Sequence, residues 1–98
     1  MSVQGSYKIT VSTPVGLQEG LLTLVTNGGK LSGAIENSRG ISEFSDGWVE
    51  GDEVRFTAKI HTPVGRVKAE ITGRIDGDAF TGAAKLPLGA ARIEGVRV

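Results

Sequence analysis

The stretch TPVG occurs twice, at residues 13–16 within VSTPVGLQEGLL and at residues 62–65 within IHTPVGRVKAEI. The copies are 49 residues apart, which is half of this 98-residue chain. Aligned without gaps, residues 50–98 match residues 1–49 at ten identical positions. In the first half these are Thr13, Pro14, Val15, Gly16, Thr23, Gly28, Gly33, Ala34, Gly40 and Val49. The sequence therefore predicts an internal duplication, with repeats at 1–49 and 50–98 in a single domain spanning 1–98.

The segments between the glycines alternate apolar and polar residues. YKITVS at residues 7–12 and VRFTAKIH at residues 54–61 both place an apolar side chain at every second position. A period of two is typical of a half-buried β-strand, and a helical period is absent along the chain. The fold class is therefore predicted to be all-β.

Glycine-containing pairs divide the chain into short strands. Asn27-Gly28 and Asp76-Gly77 are expected to form type I′ hairpin turns, and Glu50-Gly51-Asp52 is a looser case. Each TPVG suits a tight turn, with Pro at the second position and Gly at the fourth. Four strands per repeat follow, at residues 6–12, 18–26, 30–37, 41–49, 53–61, 66–75, 79–86 and 90–98.

Eight strands joined by short connections predict an eight-stranded antiparallel up-and-down β-barrel built from two four-strand repeats. Closing the first strand on the last removes both exposed sheet edges, and the duplication predicts a pseudo-twofold axis. The alternative is a two-sheet sandwich. A barrel of this size is either filled by its own side chains or just wide enough for one small ligand.

The order of these turn and core segments resembles small bacterial calycin-like domains of streptavidin-like architecture. The segments that carry the resemblance are Tyr7-Lys-Ile-Thr, TPVG, Leu22-Thr-Leu, Asn27-Gly, Leu31-Ser-Gly-Ala, Gly51-Asp, Val54-Arg-Phe, the second TPVG, Ile75-Asp-Gly-Asp, Phe80-Thr-Gly and Gly95-Val-Arg. The resemblance spans nearly the whole chain and implies a β-barrel of uncharacterised function. Biotin-binding relatives use several tryptophans, whereas this chain has one, Trp48.

The composition excludes several classes of partner and site. Eleven basic residues balance eleven acidic ones, so no broad positive field attracts nucleic acid or an anionic membrane. The chain has no cysteine, and no segment resembles a signal peptide, so a cytoplasmic protein is expected. With His61 as the one histidine, neither a metal site nor a cofactor is predicted. His61 is interpreted as a surface residue.

The alternation also predicts which side chains face inward. The predicted large inward residues are Tyr7, Ile9, Val11, Leu22, Leu24, Leu31, Ile35, Phe44, Val54, Phe56, Ile60, Val67, Ile71, Ile75, Phe80, Leu86 and Ile93. Small residues stand in the second repeat where the first has large ones, at Ile9/Ala58, Leu24/Gly73 and Ile35/Ala84. Either a cavity lies beside the second repeat, or glycine and alanine relieve crowding where strands bend or the barrel tapers.

Strands four and eight carry charges on both parities and differ most between the repeats. Glu43 aligns with Arg92 and Trp48 with Arg97, while Gly47 and Gly95 suit β-bulges. A divergent pair of strands in a duplicated scaffold can hold a ligand site on an apolar wall. The candidate ligand-binding residues are Tyr7, Glu43, Asp46, Trp48, Arg92 and Arg97; the alternative is a solvated face with surface ion pairs.

A second asymmetry lies on the outward face of strand two. Leu17, Leu21 and Val25 are replaced in the second repeat by Arg66, Glu70 and Arg74, and Ala34 extends the apolar stripe to strand three. A contiguous apolar patch on a small barrel usually marks an interface. The predicted oligomer interface is therefore Leu17, Leu21, Val25 and Ala34, and the predicted partner is a second copy in a homodimer.

Two functional hypotheses follow. The first is a non-enzymatic module that binds a small apolar molecule or serves in assembly. The second is a cofactor-independent isomerase, cyclase or hydrolase of a hydrophobic substrate. In that enzyme Glu43, Asp46 or Tyr7 would act as acid or base, and Arg92 or Arg97 would stabilise negative charge. Nucleophile-elbow, phosphate-loop and dinucleotide motifs are absent from the sequence.

Overall fold

A computed structural model of the chain describes residues 3–13, 16–62, 65–87 and 89–98, without the side chains of Thr13, His61 and Thr62. The eight strands are β1 Gly5–Thr13, β2 Gly16–Asn27, β3 Lys30–Asn37, β4 Gly40–Glu50, β5 Glu53–Thr62, β6 Gly65–Asp76, β7 Ala79–Leu86 and β8 Gly89–Arg97. The bounds of β6 and β7 are those of β2 and β3 shifted by 49 residues. All eight predicted strands are present. Four of them, β1, β4, β5 and β6, are longer than predicted by one or two residues, and β2 is longer by three.

The strands form a closed antiparallel barrel in the order β1 to β8. Each strand pairs with the next, and β1 pairs with β8 from Tyr7↔Arg97 to Ser12↔Arg92. The predicted up-and-down barrel is confirmed, and the two-sheet sandwich is wrong. One end of the barrel carries the β2–β3, β4–β5 and β6–β7 turns together with the start of β1 and the end of β8; it is called the terminal end below.

The hairpin turns at the terminal end differ from the predicted type I′ turns. The register pairs Asn27 with Lys30 and Asp76 with Ala79, so the central residues are Gly28-Gly29 and Gly77-Asp78. Gly28 and Gly77 have φ of 67° and 63°, and no described non-glycine residue has positive φ. Positive φ at the first central position alone is typical of type II′ turns, which place glycine there. The TPVG turns centre on Pro14-Val15 and Pro63-Val64, which lie outside the described residues, as does the His61 side chain.

The ladder between β3 and β4 contains a β-bulge. Gly33 pairs with Phe44, but Leu31 pairs with Gly47. One residue of β3 therefore lies opposite two residues of β4, Ser45 and Asp46. Because successive side chains of a strand point to opposite faces, the extra residue reverses the faces of every residue that follows it in β4.

The bulge turns Trp48 outward and Val49 inward. Trp48 pairs with the exposed Arg55, whereas Val49 pairs with the buried Val54 and packs against the core. The β7–β8 ladder has a continuous register instead, so the predicted bulge at Gly95 is wrong. In β8 the alternation therefore runs uninterrupted to the end of the strand, where Arg97 lies opposite the buried Tyr7.

The barrel interior holds one hydrophobic core. Its largest fully buried side chains are Tyr7, Phe80, Ile9, Leu22, Leu24, Leu31, Ile71 and Val54. The predicted inward residues all lie in this core or pack against it, except Val67, which is half-buried. Val3, Val49 and Ala91 also belong to the core or its margin and were not predicted, and Ser42 is the one buried polar residue among those described.

The space beside Gly73 is occupied by the ring of Phe80. A Cβ atom built on Gly73 would overlap that ring, and one built on Gly82, which pairs with Gly73, would lie 3.2 Å from ring atom Cε1. In the first repeat, Leu24 stands at the position of Gly73, and Leu31 stands at the position of Phe80. Two leucines in one repeat thus correspond to a glycine and a phenylalanine in the other, and at Gly73 the Phe80 ring occupies the space of the cavity that the sequence left open as one alternative.

Candidate functional site

The six predicted ligand-binding residues lie in three separate places. Glu43 and Asp46 are exposed on β4, and Arg92 is exposed on β8, four strands away around the barrel in either direction. Arg92 forms an exposed ion pair with Glu94 of its own strand, with a 3.5 Å separation between Nε and Oε1. One small ligand bound outside the barrel cannot contact β4 and β8 together, because these strands lie on opposite sides of the packed core.

Trp48 lies on the outer surface between two cations. It pairs with Lys30 on one side and Arg55 on the other. The Arg55 guanidinium carbon is 5.1 Å from the centre of the indole ring, a cation–π distance. Since the bulge has turned Trp48 away from the interior, its ring covers the outside of the β4–β5 seam.

Tyr7 and Arg97 are the two predicted site residues that the structure brings together. They pair across β1 and β8, and the guanidinium carbon of Arg97 lies 4.9 Å from the centre of the Tyr7 ring. Arg97 also donates from Nη1 to the Gln4 carbonyl oxygen at 2.6 Å, and its Nε lies 3.3 Å from Oδ1 of Asp78. These contacts hold the arginine across the terminal end of the barrel.

The Tyr7 hydroxyl is directed into the structure. It is fully buried and donates to the carbonyl oxygen of Val3 at 2.7 Å. Burial raises the pKa of Tyr7 above its ordinary value of 10.0, the nearby Arg97 opposes that shift, and Asp78 adds to it. A buried neutral hydroxyl with a raised pKa is a structural hydrogen-bond donor, and its bond to the Val3 carbonyl oxygen fixes the residues before β1 at the terminal end of the barrel.

The outward face of β2 carries the apolar stripe. Leu17 and Val25 are 72% and 45% exposed, and Leu21 and Ala34 are half-buried. In the second repeat, Arg66, Glu70 and Arg74 are exposed, and Arg74 forms a 2.8 Å ion pair with Glu53. Two further apolar side chains, Ile41 at 55% and Val96 at 60% exposure, flank the stripe on β4 and β8.

A shallow groove crosses this face of the barrel. Its volume is about 460 Å³, and it is lined by Lys8, Glu19, Gly20, Leu21, Glu36, Asn37, Ser38 and Val98. The sequence analysis identified Leu21 but not Lys8 or Glu36. Counting outward from the β1–β2 and β2–β3 turns would have placed both beside Leu21, because short hairpins set the register of the strands that they join. Gln4, Val3 and Asp78 around Arg97 had no comparable pattern in the sequence.

No protein-family model matches this chain, and no curated protein matches it. Among the described residues, no three His, Asp or Glu side chains lie close enough together to hold a metal ion. The part of the chain that the structure describes also contains no helix that could span a bilayer.

Proposed function

We propose that this protein is a non-enzymatic assembly module, a cytoplasmic barrel of calycin-like, streptavidin-like architecture that associates through the outward face of β2. The observation that carries the proposal is the difference between equivalent surfaces. Leu17, Leu21 and Val25 are apolar where the second repeat has two arginines and a glutamate. Exposed apolar area on a small barrel has a free-energy cost in water, which association removes. The closed eight-strand meander supports the streptavidin-like assignment.

The packing of the core favours this surface over the interior as the working part of the molecule. Phe80 occupies the space at Gly73 and Gly82, and Arg97 lies across the terminal end above Tyr7. A ligand inside the barrel at that end would have to displace close-packed side chains. A small apolar or amphipathic molecule is the second candidate partner, and the groove over Leu21 is the observation that favours it.

The enzymatic alternative has less support. General acid–base catalysis needs the acid or base within hydrogen-bond reach of the reacting group, and charge stabilisation needs a donor aimed at the same point. Glu43 and Asp46 are exposed on β4, away from Arg92 and Arg97 on β8. Tyr7 is buried and bonded to Val3. We therefore assign no catalytic residue.

The test compares the mass in solution of the wild type with that of Leu21→Glu. Glu70 occupies the equivalent position in the second repeat, so glutamate is compatible with this point of the strand. We expect a wild-type dimer at tens of micromolar by sedimentation equilibrium, and a Leu21→Glu monomer with unchanged circular dichroism. Thr72→Glu, on the exposed face of β6, is the matched control and should remain dimeric.

A wild-type monomer at that concentration would refute the assembly proposal, as would a Leu21→Glu variant that dimerises normally. Native mass spectrometry of freshly purified protein separates the second candidate. A bound small molecule would add a discrete mass to the monomer, and Leu21→Glu would remove it.

A further inference from the structure

Five outward residues from five neighbouring strands form a single row across the barrel. The pairing register joins Val96 to Lys8, Lys8 to Leu21, Leu21 to Glu36, and Glu36 to Ile41. Residues directly opposite each other on adjacent strands share a face of the sheet. Lys8, Glu36, Ile41 and Val96 are exposed and Leu21 is half-buried, so this outer row lies on the surface around the groove.

The outer row is self-complementary. Its order from β8 to β4 is apolar, positive, apolar, negative, apolar, with Leu21 at the centre. We propose that a second copy of the chain docks on this row through a twofold axis parallel to β2, an inference that rests on the assembly function proposed above. Such an axis brings the two surfaces face to face and reverses the order of the row. Lys8 then faces Glu36 of the second copy, Glu36 faces its Lys8, and Leu21 faces its Leu21.

Two different twofold axes would bring these surfaces face to face, and the charges favour the one parallel to β2. A twofold axis running along the row, perpendicular to the strands, would put Lys8 against Lys8 and Glu36 against Glu36. Like charges opposed across an interface disfavour a pairing, whereas opposite charges fix its register. The axis parallel to β2 converts both repulsive contacts into attractive ones.

The curvature of the barrel assigns different roles to the members of the row. With the axis along β2, that strand makes the closest approach, and Leu17, Leu21 and Val25 each face their own copy. Lys8 and Glu36 lie one strand further out, where their long side chains can span the widening gap. Val96 and Ile41 lie two strands out, so they belong to the rim of the interface.

Glu19 opposes the association. It lies on the outward face of β2, opposite Thr10, and therefore meets its own copy on the axis. Lys8 is diagonal to it across β1 and β2, a separation at which a long side chain still interacts. Glu19→Gln removes one repulsive contact on the axis, and we expect it to tighten the dimer by a few fold.

The second repeat lacks this complementarity. Its equivalent row pairs Thr57 with Glu70, Glu70 with Lys85, and Lys85 with Ala90. Reversal about β6 would place Glu70 against itself and Lys85 against Thr57. A twofold interface therefore suits the first repeat alone, which predicts a closed dimer and not a chain of barrels joined through both faces.

Charge reversal at the two ends of the proposed pair provides the test. Lys8→Glu places two glutamates on the row, and Glu36→Lys places two lysines on it, so either variant alone would form a homodimer with both cross-axis pairs repulsive. We expect the dissociation constant of each homodimer to rise on the order of tenfold or more. An equimolar mixture should recover dimers, each containing one chain of each variant, because both cross-axis pairs are then attractive.

Native mass spectrometry reports the composition of each mixture when one of the two chains is labelled uniformly with ¹⁵N, because lysine and glutamate themselves have nearly the same mass. Lys59→Glu, an exposed charge reversal on β5, is the matched control and should dimerise as the wild type does. The double variant with both reversals should form homodimers and exclude the wild type. Circular dichroism of every variant confirms that the barrel is folded.

The outcomes separate the two proposals. Selective pairing of the Lys8→Glu and Glu36→Lys chains supports docking through this row, and a double variant that pairs with itself and excludes the wild type supports the axis parallel to β2. A double variant that pairs preferentially with the wild type, or unselective mixing of the single variants in a protein that dimerises and is dissociated by Leu21→Glu, overturns the axis and leaves the assembly function in place. A wild-type monomer at every concentration tested overturns both.

Discussion

The two repeats have the same strand spacing, but side chains at equivalent positions near the ends of their fourth strands, β4 and β8, point in opposite directions. In β4 an extra residue between Phe44 and Gly47 turns Trp48 to the outside, where Arg55 lies over its ring. In β8 the register is continuous, and Arg97 lies across the barrel end above Tyr7. The bulge therefore decides where the side chain at this position lies. Trp48 of β4 covers the wall of the barrel, and Arg97 of β8 covers its end. Similar sequences can thus give opposite side-chain directions when a bulge is present in only one of them.

The cores of the repeats differ by an exchange of volume between neighbouring strands. Leu24 and Leu31 together fill this part of the core in the first repeat. In the second repeat the Phe80 ring fills it, over Gly73. Close packing couples such positions, because a side chain that grows needs a neighbour that shrinks. The small residues of the second repeat thus mark a compensated substitution at this point.

Gly47→Val gives the largest effect that we expect, because the bulge turns position 47 into the core. A Cβ atom built there would lie 2.8 Å from Cβ of Phe56 and 3.2 Å from Cβ of Leu31. The equivalent residue of β8, Val96, is exposed. We expect the free energy of unfolding of Gly47→Val to fall by about 3–4 kcal/mol, which urea unfolding measures. Asp46→Ala, on the exposed side of the bulge, is the control and should cost under about 0.5 kcal/mol; a Gly47→Val variant as stable as this control would refute the inward placement of Gly47.

Exchanging the core pair tests the coupling between Gly73 and Phe80. Gly73→Leu alone should cost about 2–3 kcal/mol, because the new side chain overlaps the Phe80 ring. Phe80→Leu alone leaves a void and should cost about 1–2 kcal/mol. The double variant recreates the pair found in the first repeat and should lose less than the two single losses combined, by at least about 1 kcal/mol. A double-mutant cycle in urea measures the difference, and additive losses would contradict the exchange.

Replacing Tyr7 by phenylalanine gives the smallest effect, and one that depends on pH. At pH 7 the lost hydrogen bond to Val3 should cost about 1 kcal/mol. Because burial raises the pKa of Tyr7 in the folded state, the stabilisation tied to its protonated form is complete below the unfolded value of 10.0. It is lost as the pH rises from there through the folded pKa. The stability advantage of the wild type over Tyr7→Phe should therefore shrink above pH 10.

Measurements of the unfolding free energy between pH 8 and pH 11 test this prediction. The two proteins differ only at position 7, so the difference between their unfolding free energies isolates Tyr7. A difference that stays constant across the range would show that the Tyr7 hydroxyl does not titrate in a buried site. Phe56, the equivalent residue in the second repeat, has no hydroxyl and contributes no such dependence.

Sequence reasoning located the strands well because their evidence is local. Alternation along YKITVS and VRFTAKIH follows directly from the two-residue period of a strand, and glycine marks the turns. It erred on the turn type, because Asn27 and Asp76 pair in the ladder and Gly28 and Gly77 become the first central residues. The two glycines near the ends of β4 and β8, Gly47 and Gly95, look alike in sequence, yet only β4 has the bulge.

The candidate site could be predicted only in part, because many of its contacts join residues that are far apart in the chain. The apolar stripe at Leu17, Leu21 and Val25 repeats along one strand and is visible in the sequence. The proximity of Arg97 to Tyr7, Gln4 and Asp78 depends on closure of the barrel across residues far apart in the chain. The cluster expected from Glu43, Asp46 and Arg92 did not form, because β4 and β8 lie four strands apart.

The sequence by itself determined the eight strands, their order and most of the inward residues, because alternation and turn chemistry act over a few neighbouring residues. The tertiary structure decided which of two equivalent residues faces inward, which side chain fills the space at Gly73, and which charges meet across β1, β2 and β3. Those outcomes depend on ladder register and on close packing, and both are properties of pairs of strands and not of any single segment.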